Sequence, residues 1–592
     1  MKGPITFLLQ LGAVYTSIAS ACKLSDLPIL SAHGSYGSNQ CIAFGGEQAV
    51  IDRLIDPQAC DIPKLIEATA DQLQDGLTKG CFTSVDLVKV RITLQTPYRQ
   101  GNVLIIVVVQ TYVARIAEVN STVRAVTEIN PDALTIAKQM DNERKMGKLR
   151  GPLHGLPIVI KNNIFTDDKM SSTAGSYAIF GARTSADATV ATKLREAGLV
   201  IMGKSGASQW ANFRSLNSTN GWSAYGGQVT AAYIKNQDPS GSSSGSGVAS
   251  DLGLAFATLG TETSGSIVSP ADKSNIVGLK PTVGLTSRRF VVPISERQDT
   301  VGPMARSVKD AAYLLQVIAG KDSNDNYTSA IPFDTIPDYV KACDINALKG
   351  KRIGVPRNVI KIFGSPQTVV DQFNQALAVM KKAGAIIVEN TDFTSFAEFA
   401  QSPIPDDILY ADSLTNLPAF FKQLKVNPHN ITDLESLRRF TQHHRLEEYP
   451  SRDTARWDIA LQKGIKNTDP KFWPMYQKNV KFGNEGGILG ALRRHKLDAA
   501  VLPTDLSPYI PALIGSPIIT VPMGVYPNGT KVNHDRELVT SGPGIPIGIG
   551  FMGDLWSEEK LIGLAYAFEQ KTHARPKLKR FIQPKKEVKG IL

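Results

Sequence analysis

The sequence predicts an α/β fold, and three observations predict it. From residue 156 onward, short apolar runs with strand character alternate with amphipathic segments of helical length, a βαβ rhythm. Two capping boxes, Thr83-Ser84-Val85-Asp86 and Ser307-Val308-Lys309-Asp310, announce helix starts. Glycines stand where helices should stop, at Gly198, Gly320 and Gly384.

The elements follow in order. Lys2 precedes an apolar run over residues 5–19, and Ala19-Ser20-Ala21 supplies a small-residue cleavage site, so residues 1–21 read as a secretory signal peptide. The run is too short for a membrane span and no later stretch is long enough, so no stable membrane insertion is expected. Sequons at Asn120, Asn217, Asn326, Asn430 and Asn528 fit a secreted glycoprotein. Residues 22–63 read as an irregular N-terminal arm. Four of the five cysteines (Cys22, Cys41, Cys60 and Cys81) cluster near the N-terminus, where one or two disulfides are expected. Cys343 stands apart, and no cysteine or histidine spacing suggests a metal. Residues 66–77 read as a helix, and a second opens at the first capping box.

That second helix is interrupted. It reads naturally to Lys89 and resumes at Tyr112, but between them lie residues 90–110, including the run Leu104-Ile105-Ile106-Val107-Val108-Val109. Removing the segment places Val85, Val88, Val113 and Ile116 on one helical face. Either it is a genuine inserted strand or hairpin, or it is an intron retained and translated in frame, as the valine and glutamine codons at its ends allow.

Residues 156–160 read as a buried strand with Lys161 just past its end. Residues 187–197 read as a helix and 199–202 as a strand. After the second capping box a helix runs to Gly320. Strands are expected at 351–356 and 385–388, with a helix at 367–383 between them. Residues 393–484 are polar and helical in character. The net charge of +11 is partly concentrated in a basic tail, residues 577–592. Without interleaved aromatics or a binding motif, that tail reads as a solvated end, and no nucleic-acid partner is expected.

The chain is organised around residues 238–282. Serines packed among glycines (Ser240, Ser242, Ser243, Ser244, Ser246) precede an apolar stretch, and a second turn follows at Thr261-Glu262-Thr263-Ser264-Gly265-Ser266. Two such turns flanking one short apolar element can bring two hydroxyls together. This stretch resembles the signature of the amidase signature family, roughly GGSSGGS, an Ala-rich helix, GTDTGGSI and GLKPT. Upstream, GPLHGLPIVIKNN at 151–163 resembles the family's GPLHGIPVxxKDN, and Gly203-Lys204 with QWANFRS at 209–215 resembles its GK…SEWANFRS. The resemblance spans residues 66–576 apart from the segment 90–110 and a variable middle, 393–484, with the domain taken as 64–576. It implies the amidase signature fold: one large mixed β-sheet core covered by helices on both faces, without a second catalytic domain.

The chemistry needs a base, because a serine hydroxyl is a poor nucleophile until its proton is taken. None of the eight histidines falls in a Ser–His–Asp framework. Gly241-Ser242-Ser243-Ser244-Gly245 satisfies the GxSxG elbow of α/β hydrolases, but the preceding Asn236-Gln237-Asp238-Pro239-Ser240 is no strand. The alternative base is a lysine kept neutral by burial. By the resemblance, Ser266 is the nucleophile, Ser242 a bridging serine with a cis peptide bond, and Lys161 the base. Backbone N–H groups of Thr263, Ser264, Gly265 and Ser266 would form the oxyanion hole, with Ser243 as a supporting hydrogen-bond partner. Lys204 and Lys280 read as structural. Several residues depart from the family pattern: Asn162 and Glu262 where Asp is common, Ser264 for a glycine, Val268 for an arginine, and Gly550 where Gln is frequent. The activity implied is hydrolysis of a small-molecule amide to acid and ammonia or amine, without metal or cofactor, the pocket being shaped largely by residues 393–484 and by N-terminal elements. Two other readings are a glutamyl-tRNA amidotransferase A-type subunit and an inactive amidase-fold binding protein. Oligomeric state and acyl preference stay open.

Overall fold

Eleven strands lie side by side in one mixed sheet. The computed structural model describes residues 60–88 and 111–588. The signal peptide, most of the arm, Cys22, Cys41 and the segment 90–110 lie outside the described residues.

In chain order the sheet strands are β1 (Val126–Ile129), β2 (Pro157–Lys161), β3 (Val200–Ser205), β4 (Ala257–Glu262), β5 (Val277–Lys280), β6 (Thr300–Ala305), β7 (Arg352–Val355), β8 (Ile386–Glu389), β9 (Ala499–Pro503), β10 (Ile518–Val525) and β11 (Pro546–Met552). Their spatial order is β1-β3-β2-β4-β6-β5-β10-β11-β9-β7-β8. β2 runs parallel to both β3 and β4, and β7 parallel to both β8 and β9; the other pairings are antiparallel.

Every residue of β2, β3, β4, β5, β6, β9 and β11 is buried. Successive side chains point to opposite faces, so complete burial means that both faces are covered. Helix Ser244–Asp251 packs on β4, Val308–Ile318 on β6, and Gln367–Lys382 and Glu558–Thr572 on β10. The helices of the middle region, Ile404–Phe421, Leu434–His443, Ala455–Lys463 and Phe472–Gly483, pack on one another.

Three expectations need correction. The apolar stretch between the two serine turns is two elements: helix Ser244–Asp251 starts inside the first turn, and β4 leads into the second. The second capping box is only half made. Ser307 accepts from the Asp310 N–H at 3.1 Å, but the Asp310 carboxylate accepts from the Ala70 N–H at 2.8 Å, capping helix Ala70–Thr78 instead. Finally, the described part of the basic tail is not a solvated end. Arg580 bonds Asp251 Oδ1 at 2.8 Å, as does Arg575 just ahead of the tail, which also bonds Glu67 at 2.9 Å. Burial alone would raise the Asp251 carboxyl, but Arg580 and Arg575 hold it below the usual range. Glu587 accepts from Arg115 at 2.9 Å and from the Leu65 N–H at 2.8 Å. The tail therefore straps the end of the helix that follows Ser242.

Cys60 and Cys81 form a disulfide, and Cys343 is unpaired. The first capping box is complete, with Thr83 N–H donating to Asp86 at 2.8 Å and Asp86 N–H to Thr83 Oγ1 at 3.1 Å. Among the described residues, no helix is long and apolar enough to cross a membrane, and no cluster of three or more metal-ligating side chains occurs.

Candidate active site

Lys161 is the last residue of β2 rather than the first beyond it, and its side chain is fully buried. An apolar parallel strand between two neighbours leaves its C-terminal residue inside the protein, so the amine is drawn in with it. Lys161 Nζ lies 2.8 Å from Ser242 Oγ, 2.9 Å from Thr261 Oγ1 and 3.2 Å from the Thr261 carbonyl oxygen. Burial pushes its pKa down to about 7, against the opposing charges of Asp299 and Glu262.

Ser242 is buried, and the Gly241–Ser242 peptide bond is cis. A Cβ at Gly241 would come within 2.4 Å of Ser208 Oγ and 2.7 Å of Asn212 Nδ2, so a side chain there would displace both. The Ser243 N–H donates to the Ser266 carbonyl at 3.1 Å, which ties the first serine turn to the second. Ser243 Oγ donates to the Thr261 carbonyl at 3.0 Å and accepts from the Thr261 N–H at 3.2 Å. Ser243 thus bonds the backbone of the residue that also touches Lys161. No strand precedes Gly241, so the elbow geometry is absent.

The second turn is shaped by Glu262. Its carboxylate accepts from the N–H groups of Gly265 at 2.8 Å, Ile267 at 2.7 Å and Val268 at 3.0 Å. Gly265 has φ +81°, and a Cβ there would meet Ser269 Oγ at 2.9 Å. Of the four N–H groups expected for an oxyanion, that of Gly265 is therefore already taken. Those of Thr263, Ser264 and Ser266 make no hydrogen bond among the described residues. Ser264 is exposed, so the side chain that replaces a glycine points outward rather than into packed atoms. Thr263 Oγ1 donates to Asp299 at 2.6 Å, and Asp299 also accepts from the Ile294 and Ser295 N–H groups at 2.7 and 3.0 Å. Burial lifts the Asp299 carboxyl to about 6.

Ser266, Thr263, Ser264 and Gly241 line one cavity of about 420 Å³. Its walls include Phe399, Leu409 and Arg456 from the middle region, with Phe363 and Tyr509. Lys204 and Lys280 are also buried and pushed down, to about 7 and about 8, by burial. Lys204 bonds Ser172 Oγ at 3.1 Å and Lys280 the Ser516 carbonyl at 2.8 Å; neither lines the cavity. His154 is buried with its ring nitrogens on Met140 O at 2.9 Å and the Arg150 N–H at 3.3 Å, far from this chemistry in role.

Comparison with known proteins decides the family. The Amidase family pattern matches residues 107–562. A Schizosaccharomyces pombe protein named as an amidase is 34% identical over 569 residues, 88% of each chain. The chain belongs to the amidase family. An Arabidopsis thaliana protein named as an amidase is 37% identical over 79% of this chain and 86% of its own. The native peptide amidase of Stenotrophomonas maltophilia superposes with a TM-score of 0.75 at 36% identity, covering 87% of this chain and 99% of that one. The chain is thus an amidase, a hydrolase of amide C–N bonds, built on the amidase fold, and these two relatives, matched over most of the chain, are named as amidases rather than as amidotransferase subunits.

Four residues of this amidase were missed in the sequence: Thr261, Asn163, Glu262 and Asp299. Asn163 Nδ2 donates to Thr261 Oγ1 at 3.0 Å and so holds the group that contacts Lys161. Both sit inside motifs already singled out, so position beside Lys161 and Ser266 was the available signal. Asp299 offered none, since it lies on the run into β6.

Proposed function

We propose that this amidase cleaves its substrate through Ser266, Ser242 and Lys161. The observation that carries this is the contact between a buried amine held near neutrality and Ser242 Oγ, on a loop bonded to Ser266. A neutral amine has two N–H donors and one lone pair. The Thr261 carbonyl and hydroxyl oxygens take the donors, which leaves the lone pair for the Ser242 proton. Ser266 Oγ attacks the amide carbon as its proton passes to Ser242 and the Ser242 proton to Lys161. The oxyanion is received by the free N–H groups of Thr263, Ser264 and Ser266. Return of the proton expels ammonia or amine as the C–N bond breaks, and water releases the acid from the acyl-enzyme by the same relay. The buried contact between Lys161 and Ser242 speaks against an inactive binding protein.

The substrate we propose is a peptide or acyl-amino-acid amide. The named activity of the Stenotrophomonas relative supports it, as does a cavity that sets aromatic walls beside polar groups. We further propose that the protein is secreted, on the strength of the leader and sequons.

Fluorophosphonate labelling tests the nucleophile. Label is expected on Ser266 in the native chain, none in Ser266→Ala, and about a hundredfold slower labelling or worse in Lys161→Ala. Label on another serine, or equal rates with and without Lys161, overturns the assignment.

A further inference from the structure

One wall of the catalytic cavity carries a guanidinium with no acceptor to hold. Arg456 sits in the first turn of helix Ala455–Lys463, its N–H anchored to the Arg214 carbonyl at 3.2 Å. Among the described residues its side chain makes no hydrogen bond. Asp406 Oδ1 is 3.7 Å away, outside hydrogen-bond reach. Neighbouring arginines behave differently: Arg214 bonds the side chains of Gln209 and Glu447 and three carbonyls, and Arg438 bonds Asp458. A guanidinium has five donors, and one whose side chain is only 26% exposed ordinarily finds acceptors for them. The Arg456 guanidinium instead lies over the Phe213 ring at 5.7 Å, which leaves its edge uncommitted.

Its position gives the spare donors a use. Arg456 and Asn212 line both the catalytic cavity and a second cavity of about 240 Å³, bordered also by Ser215, Ser218, Asn220 and Trp222. Ser266 lines only the first. When a primary amide is cleaved the leaving group is ammonia, so whatever fills the rest of these cavities belongs to the acyl portion. The two charges facing it are unequal. The Asp406 side chain is 60% exposed and screened by water, whereas Arg456 is mostly withdrawn from it.

Resting on the amide-hydrolysis reading above, we infer that Arg456 binds a carboxylate on the acyl portion of the substrate. In a peptide amide this selects an acidic residue next to the amidated one. Arg456 acts on binding, not on the bond being broken.

The test uses three N-acetylated dipeptide amides, with Glu, Gln or Lys preceding a C-terminal phenylalaninamide, and follows ammonia release by the full chain. The native enzyme is expected to prefer Glu over Lys by about tenfold or more in kcat/KM, carried mainly by KM. Arg456→Met should bring that ratio within about twofold, and Arg456→Lys should keep part of it. Fluorophosphonate labelling of Ser266 in each variant shows that the site is folded. An unchanged Glu-to-Lys ratio in labelled Arg456→Met overturns the inference, as does a native preference for Lys. If no amide is cleaved and Ser266 does not label, the amide-hydrolysis reading itself fails and this inference falls with it.

Discussion

Acidifying the enzyme should switch off acylation by protonating Lys161, and the structure gives the size of the effect. Burial places that amine at about 7. An ordinary lysine, titrating near 10.4, would be neutral in roughly one molecule in 2,500 at pH 7; a value of about 7 makes it neutral in half, a gain of about a thousandfold in competent enzyme. The sign follows from the neutral form being the base: activity is lost as pH falls through 7 and is full above about 8. At pH 5 about 1% of the lysine is neutral, so kcat/KM should drop roughly fiftyfold from its pH 7 value. The assay is ammonia release from a non-ionising amide between pH 5 and 10 at constant ionic strength, for the native chain and Lys161→Ala. The variant should lose about 10²- to 10⁴-fold, and its residual rate should lack the acid limb. Asp272 and Glu569 are also pushed to about 7 by burial, so an acid limb that survives in Lys161→Ala would assign the ionisation elsewhere. A flat native profile from pH 5 to 8 would refute the neutral-lysine argument outright.

The other predictions can be checked on the same protein. Asp299 is the first of the charges that raise the Lys161 pKa, so Asp299→Asn should move the acid limb to lower pH; an unmoved midpoint refutes the coupling. Cys60→Ser should cost about 3 kcal/mol of stability, the entropy of a loop closed across 21 residues, seen as a lower Tm that is the same in Cys81→Ser. Expressed through a eukaryotic secretory route, the chain should carry glycans at Asn217, Asn326, Asn430 and Asn528, which are exposed, but not at Asn120. The Asn120 amide donates to the Val126 carbonyl at 2.8 Å and accepts from the Val126 N–H at 2.9 Å, and site mapping by mass spectrometry reads the difference. Deleting residues 90–110 should leave a folded, labelled enzyme with a Tm at or above that of the full chain, by up to about 3 kcal/mol of closure entropy. The deletion puts Thr111 four positions after Asp86, and the Thr111 hydroxyl already donates to the Asp86 carbonyl at 2.7 Å, as a threonine does within a continuous helix; insoluble product would refute this.

What could be read from the sequence was local. The run before Lys161 is apolar without alternation, which marks a strand buried on both faces, and burial of its last residue follows from that. Helix stops at Gly198 and Gly384 and the Thr83 capping box were legible because the signals act within four residues. The half-made box at Ser307 was misread for the same reason. Asp310 has the right spacing to cap its own helix, and only the fold brings the Ala70 N–H close enough to win it. The tail misled through charge counting, since a run of arginines and lysines looks solvated until Asp251 and Glu67 are placed beside it.

The site itself divides along the same line. That Lys161 and Ser242 meet was legible in the motifs, but what tunes the lysine was not. Lys161 owes its lowered pKa to burial between β3 and β4, set against a charge on Asp299 that arrives from 138 residues away. The turn at residues 261–266 shows the converse. A glycine-rich turn suggests a row of equivalent donors, yet the carboxylate of Glu262 consumes the Gly265 N–H together with those of Ile267 and Val268. Those three bonds fix the turn in place, so the donors left free at Thr263, Ser264 and Ser266 are held in position before any substrate arrives. In the oxyanion role proposed for it, a turn kept rigid by spending one of its donors would stabilise a developing charge better than a mobile turn with all four, because no reorganisation is then required as the charge forms.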